Sequence, residues 1–440
     1  MSATIPDRFS RLKALQRPPA LAIAKSTPQQ TWHGSSTGWF PELPAGADRL
    51  AELLAATPRS NQYGEHLALR RWFSEAIGSE NPEGPFDRDA LRLLVPGAPD
   101  CVCDPRQWLF LDTETTGISG GTGTYPFLIG IAWYDAGGLE VEQFFMREHS
   151  EEHSVLTALS ERMAERRVLV TFNGKSFDWP LLETRYNMTR KIRVPSPRAH
   201  LDFLHPARNL WRLRLGSARL QELERHVLGW NRGADIISEF IPQIYFDYLR
   251  GGSPDPLVPI FHHNQMDLRG LAGLASRTLA ILSNPEQHGQ DALELFGVSR
   301  ICERRGETAR AKHLYARSIA ADLPEDTSLA AHRFLARIAK RDGDHALACE
   351  LWEKLIAEKT ASTSREGFEA FEQLAIHYER RARTPQRAAD LITRALINLR
   401  RANRLGLISA GAYVQKRARF ERRLARLQRN LHATLLDPTQ

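Results

Sequence analysis

Trp108-Leu109-Phe110-Leu111-Asp112-Thr113-Glu114-Thr115-Thr116-Gly117 is the stretch on which the fold turns. Its four consecutive large apolar residues, entered from a Pro-containing segment, read as a strand buried on both faces. The strand runs directly into carboxylates at i and i+2. Side chains alternate along a strand, so Asp112 and Glu114 point to the same side. Two anions at the end of a buried strand repel each other and lose hydration, and a cation between them relieves both costs. The functional interpretation is half of a divalent-metal site. Taken alone, Asp-x-Glu is equally an exposed acidic turn after a core strand, and the rest of the chain has to decide between them.

Downstream, Pro126 to Tyr134, a turn at Ala136-Gly137-Gly138 and the alternating Leu139, Val141 and Phe144 predict two further strands of an antiparallel meander. A helix is expected over about 151–165, with Val155, Leu156, Leu159 and Met163 on one face. Val168 to Phe172 reads as a second buried strand ending at Asn173-Gly174, with Ser176 as N-cap of the next helix. Leu201 to Leu204 reads as a short strand, followed by helices near 217–228 and 264–282. Three antiparallel strands, a helix and strand–helix repeats are the order of a ribonuclease-H-like sheet. The expected fold is thus an α/β ribonuclease-H-like mixed sheet over 106–285, three antiparallel strands plus parallel strands with flanking helices.

From about 290 the composition shifts to helix formers, giving an all-α helical-repeat domain over 286–440. Arg304 to Tyr315 lines up with Arg341 to Trp352, and a weaker third copy starts at Ala388. Helix pairs turning at Gly with small Ala and large aromatics resemble tetratricopeptide repeats, whose period is about 34 residues. The final helix, 409–432, carries Lys416, Arg417, Arg419, Arg422, Arg423, Arg426 and Arg429, either a solvated face or a contact with nucleic-acid backbone. Residues 1–105 read as a Pro/Ser/Thr/Gly-rich leader to about 45 and a small cap, with helix-compatible patches at 47–57 and 65–78. No chemistry is placed before Trp108.

Composition narrows the class. At 440 residues, 42% hydrophobic and 25% charged, the chain has the make-up of a globular protein of two or three domains. No apolar run is long enough to span a bilayer, so no membrane partner is expected. The four cysteines form no CxxC pair and fit reduced thiols in a cytoplasmic protein. A net charge of +7, with Arg well ahead of Lys, favours a polyanionic partner.

Two further segments complete a constellation. Asn173-Gly174-Lys175-Ser176-Phe177-Asp178 places a third carboxylate in the first turn of a helix after a buried strand. His262-His263-Asn264-Gln265-Met266-Asp267 places a fourth on the last long helix of the α/β region. Four such acids hold two divalent ions about 3.5–4 Å apart, and all-oxygen ligands favour Mg²⁺ or Mn²⁺ over zinc. An adjacent histidine, with an ordinary pKa of about 6.5, can act as general base.

Asp112-x-Glu114, Asn173-x-x-x-Phe177-Asp178 and His263-x-x-x-Asp267 together resemble the three motifs of the DEDD superfamily of 3′–5′ exonucleases. The continuation Thr116-Gly117-Ile118-Ser119-Gly120-Gly121-Thr122-Gly123-Thr124 most resembles the YprB-like branch. The resemblance covers about 106–285 and implies Asp112, Glu114, Asp178 and Asp267 as metal ligands. Asp202 resembles an accessory acid of proofreading domains, and polar pairing at a buried strand explains it equally. The base departs from the pattern. One branch has His five residues before the last Asp, which His262 fits; another has Tyr four before, a slot that His263 fills. His263 is preferred, because on a helix i and i+4 share a face.

The expectation is therefore a two-metal exonuclease acting on DNA or RNA. Catalytic residues are Asp112, Glu114, Asp178, His263 and Asp267, with His262 as the alternative base. Asn173, Lys175, Gly120, Gly121 and Thr122 are substrate-binding candidates, and a protein partner could use the helical repeats. The alternatives are endonucleolytic cutting by the same metal pair, and a weak or inactive nucleic-acid- or protein-binding scaffold on the same fold.

Overall fold

The computed structural model describes residues 47–440 apart from 79–81, 83, 118–122, 234, 290, 358–360 and 437–440. The leader reading of 1–45 and the candidates Gly120, Gly121 and Thr122 lie outside the described residues. Helix α1 (Ala47–Leu54) leads into a hairpin of β1 (Thr57–Asn61) and β2 (Gly64–Phe73), followed by α2 (Arg88–Leu94). Strands β3 (Trp108–Thr115), β4 (Pro126–Asp135) and β5 (Gly138–Phe145) form the antiparallel meander. Then come α3 (Glu152–Glu165), β6 (Val168–Thr171), α4 (Asp178–Thr189) and β7 (Ala199–Asp202). Helices α5 (Leu204–Leu210), α6 (Arg212–Leu215), α7 (Leu220–His226), α8 (Ile241–Leu249) and α9 (Val258–Ser283) complete the α/β region.

Among the described residues the seven strands run β1-β2-β5-β4-β3-β6-β7, with β3–β6 and β6–β7 parallel and the other pairs antiparallel. The sheet begins well before Trp108. Residues 64–73, all but Gly64 inside the 65–78 patch read as helix-compatible, form β2, in register with β5 from Leu67 opposite Phe145 to Phe73 opposite Leu139. Pairing with a strand far along the chain overrides local helix preference there. A second correction concerns Ser176: α4 starts at Asp178 with Phe177 at its N-cap and no side-chain cap bond, while Ser176 N donates to Asn173 O in the preceding turn.

Period-two alternation in β3 sends Trp108 and Phe110 to one face, where they pack with Val168, Val170 and Leu201 beneath Met266, Leu271 and Leu274 of α9. Leu109 and Leu111 go to the other face, with Ile129, Ile131 and Leu169, beneath Val155 and Leu159 of α3 and Leu182 and Tyr186 of α4. Helices therefore cover both faces of the central strands.

The remainder is helical: α10 (Pro285–His288), α11 (Ala292–Arg305), α12 (Thr308–Ala320), α13 (Glu325–Arg341), α14 (His345–Ala357), α15 (Arg365–Arg380), α16 (Pro385–Arg404) and α17 (Ala410–Leu436). Gly306 and Gly343, equivalent in the two aligned copies, turn the chain between paired helices at φ +78 and +86. Phe296, Ile301 and Tyr315 belong to the same core as Trp108 and Phe110, and the first helical pair joins that core by packing on α5 and α2. A second core, including Trp352, Phe371 and Phe420, holds the later helices together. Much of the basic face of α17 is neutralised within the chain: Arg419 pairs with Glu372, Arg423 and Arg426 with Glu379, and Arg417 with Glu421. No helix among the described residues is long and apolar enough to cross a membrane.

Candidate active site

The acid cluster is assembled from three segments. Asp112 and Glu114 leave the end of β3 on the α9 side, and the β3–β4 register shifts directly after Glu114. Asp178 is the first residue of α4, where a helix N-terminus favours a carboxylate. Thr113 Oγ1, on the other side of the strand, donates to Asp178 Oδ1 at 2.6 Å and ties that helix start to the strand end. Asp267 lies in α9. That helix begins at Val258, so His263 sits one turn before Asp267, with Nε2 3.5 Å from Asp267 Oδ2 and 3.8 Å from Glu114 Oε1. His263 is buried and His262 is exposed.

The charges in this cluster work against one another. Burial, then the charges of Asp267, Glu114 and Asp178, hold the Asp112 carboxyl well above its usual range. Glu114 is raised in the same direction by burial, then by Asp267, Asp178 and Asp235. Asp178 is pushed up to about 6, by burial foremost, against the opposing hydrogen bond from Thr113. Such a cluster calls for positive charge, and hard oxygen donors suit Mg²⁺ or Mn²⁺. The chain supplies part of that charge itself: Arg232, reaching in from the segment after α7, bonds Asp267 and holds Glu224 at 2.5 Å and Asp235 at 3.2 Å. Among the described residues no three His, Cys, Asp or Glu side chains already converge as a metal-ion site. The donor set fits a divalent ion in chemistry and charge, with Arg232 holding one of its carboxylates.

Several contributors were not read from the sequence. Asp235 accepts from His263 Nδ1 at 2.9 Å, which turns Nε2 toward Glu114 and Asp267. Burial would raise Asp235, but the His263 hydrogen bond and charge bring its pKa below the ordinary value. Asn264 Nδ2 donates to Asp112 Oδ2 at 2.8 Å, and Asn264 Oδ1 accepts from Gln143 Nε2 at 2.7 Å. This amide chain crosses β4 at Gly130, directly opposite Asp112, where a Cβ would lie 2.0 Å from Asn264 Oδ1. A glycine inside an otherwise buried strand was the available signal for that close approach. Asp235 and Arg232 stand in an irregular polar segment that carries no periodicity to place them.

Asn173 and Lys175 occupy the turn between β6 and α4, Asn173 at φ 69. Asp202 clamps this turn, its carboxylate accepting from the backbone N–H groups of Asn173 at 2.8 Å, Lys175 at 3.1 Å and Leu204 at 3.0 Å. Of the two readings of Asp202, these bonds match polar pairing at the strand end. A cavity of about 360 Å³ opens beside the acids, lined in part by Thr113, Glu114, Phe177 and Asp178.

Residues 109–279 match the model of the RNase_H superfamily. The matched stretch takes in the sheet and helices that carry the acid cluster. Over 252 residues the chain is 32% identical to the uncharacterized protein YprB of Bacillus subtilis (strain 168). That stretch takes in 56% of this chain and 59% of the relative, so the chain spans about three-fifths of the length of the curated relative it matches.

Proposed function

We propose that this chain is a metal-dependent hydrolase of nucleic-acid phosphodiester bonds, a 3′–5′ exonuclease of the DEDD type. The observation that carries the proposal is the gathering of Asp112, Glu114, Asp178 and Asp267, in which burial and then the charges of Asp267, Glu114 and Asp178 raise Asp112, and burial and then Asp267 and Asp178 raise Glu114. These four carboxylates would hold two divalent ions, which supply electrophilic activation of the phosphate and ionisation of water. Water attacks phosphorus, the bond to the 3′ oxygen of the shortened strand breaks, that oxygen takes up a proton from solvent, and a proton must be taken from the attacking water. In this proposal His263 Nε2, with Nδ1 held by Asp235, accepts it. Thr113 fixes Asp178 and Asn264 fixes Asp112, so neither carboxylate has to be ordered when substrate arrives. A protein partner on the helical repeats and a cytoplasmic setting belong to the same proposal.

A second reading, an inactive nucleic-acid- or protein-binding scaffold, is favoured by the Arg232–Asp267 pair, because a side-chain cation is what an ion-free centre would use. Melting curves in chelator and in millimolar Mg²⁺ separate the two. The Asp178 carboxyl has its pKa raised from 3.8 to about 6, so the folded chain holds that proton more tightly than the unfolded chain does. The associated stabilisation is full below 3.8 and is lost as pH rises through about 6, and Asp112 and Glu114 act in the same direction. In chelator the melting temperature is therefore expected to contain a component that falls across that window. Mg²⁺ should restore several degrees at about pH 8 and little at about pH 4, because only the ionised cluster binds it. Equal curves with and without Mg²⁺ and Mn²⁺ at high pH would favour the scaffold.

A further inference from the structure

A second cavity, of about 450 Å³, lies at the junction of the sheet and the first helical pair. Lys175, Asp202, His205, Arg208, Arg304 and Arg305 line it. Asp202 is the only acid among its lining residues, and its carboxylate is already committed to three backbone N–H groups. The guanidinium of Arg305 is fixed on the carbonyls of Leu93 and Leu94 at 2.7 Å, and that of Arg304 on Asn209 Oδ1 at 2.6 Å. Among the described residues none of Lys175, Arg208, Arg304 and Arg305 forms an ion pair with a carboxylate. This contrasts with α17, whose arginines are largely paired. Burial, then Arg300, with a further contribution from Arg305, pushes the Arg304 pKa down, while Tyr315 and Glu303 oppose the shift. Like charges are crowded here, and an anion would relieve the crowding.

The cavity and the one beside the acids flank the same short turn. Lys175 lines the basic cleft, while Phe177 and Asp178 line the cavity beside Glu114. Phe177 stands on this saddle, 57% exposed, an apolar ring on which a base can stack. The geometry points to this cleft as the track for the phosphodiester backbone of a single nucleic-acid strand, with Arg208, Arg304 and Lys175 on successive phosphates upstream of the bond being cut. The inference rests on the proposed nuclease activity for its direction but not for its ligand. A free nucleotide would present the same phosphate chemistry. A strand is assigned because Lys175 of this cleft and Phe177 and Asp178 of the cavity beside the acids lie on one turn, so a ligand held by the cleft cations has to pass that turn to reach the acid centre.

Binding of fluorescein-labelled oligodeoxythymidine and oligouridine, measured by anisotropy in chelator as a function of salt, tests the assignment. Each phosphate contact contributes about 0.7 to the slope of log affinity against log salt for a single strand. Arg208→Gln/Arg304→Gln in the full chain should make the slope shallower by about 1.4 and weaken low-salt binding by about tenfold or more. Arg208 is exposed, so Arg208→Gln alone should show about half the slope change even if the double variant melts early. Arg422→Gln/Arg429→Gln, which removes the same charge from α17, should leave the slope unchanged. A slope unaffected by the cleft substitutions, an equal change from the α17 pair, or tight binding of thymidine monophosphate with an unaltered strand slope would overturn the track. Hydrolysis of p-nitrophenyl thymidine 5′-phosphate in Mn²⁺ reads the acid centre separately. If neither protein cleaves it while the slope still changes, the cleft stands and the enzyme assignment falls; cleavage with an unchanged slope gives the reverse.

Discussion

Asp112→Asn should abolish strand cleavage, by on the order of 10³-fold or more, while leaving the chain as stable as the parent or more so. Both halves of the expectation come from the same charges. The Asp112 carboxylate is partly buried beside Glu114, Asp178 and Asp267, which hold its pKa well above the usual range, so its ionised form is a cost to the fold that a neutral amide removes. The Asn264 amide can keep its donor contact with the new side-chain oxygen, so local packing is retained. A melting temperature in chelator at or above that of the parent, together with loss of cleavage, marks a site whose charge serves chemistry at the expense of stability. Full activity in this variant would remove the proposed centre. Loss of both stability and activity would make Asp112 a structural residue.

His263→Ala should lower turnover by about 10²- to 10⁴-fold, the range of general-base assistance, and His262→Ala by far less. The two neighbours differ in what they face. His263 lies between Asp235 on one ring nitrogen and Glu114 and Asp267 on the other, whereas His262 is exposed on the outer side of α9. About 100° of helix rotation separates adjacent residues, so both cannot serve one water. Calorimetric titration with Mn²⁺ should show metal binding nearly retained in His263→Ala, which separates loss of a base from loss of the ions. If His262→Ala is the impaired variant, the assignment of the base is wrong.

The site was legible to the extent that its residues follow regular periodicities. Asp112 and Glu114 were placed on one side by the period-two rule, and His263 and Asp267 on one face by the helical spacing. Asp178 at a helix start followed from a buried strand ending in a turn. What escaped was nonlocal. The β1–β2 hairpin carries little strand signal of its own, and β2 becomes a strand through its pairing with β5, more than sixty residues later in the chain. Arg232 and Asp235 act from an irregular segment held by ion pairs to α7 and α9. Asn264 stood inside the quoted motif, yet its reach to Asp112 depends on Gly130 being without a side chain, a condition set by strand register. The basic helix α17 shows the converse: its charge was plain, while its pairing with Glu372 and Glu379 required the packed helices.

The most direct test is digestion of single-stranded DNA and RNA labelled at the 5′ end, with free or blocked 3′ termini, by the full chain in Mg²⁺ or Mn²⁺. The account predicts a ladder of stepwise shortening from a free 3′ end, none from a blocked one, and none in chelator. Cleavage that persists in chelator, internal cuts in blocked strands, or intact strands with every metal would contradict it.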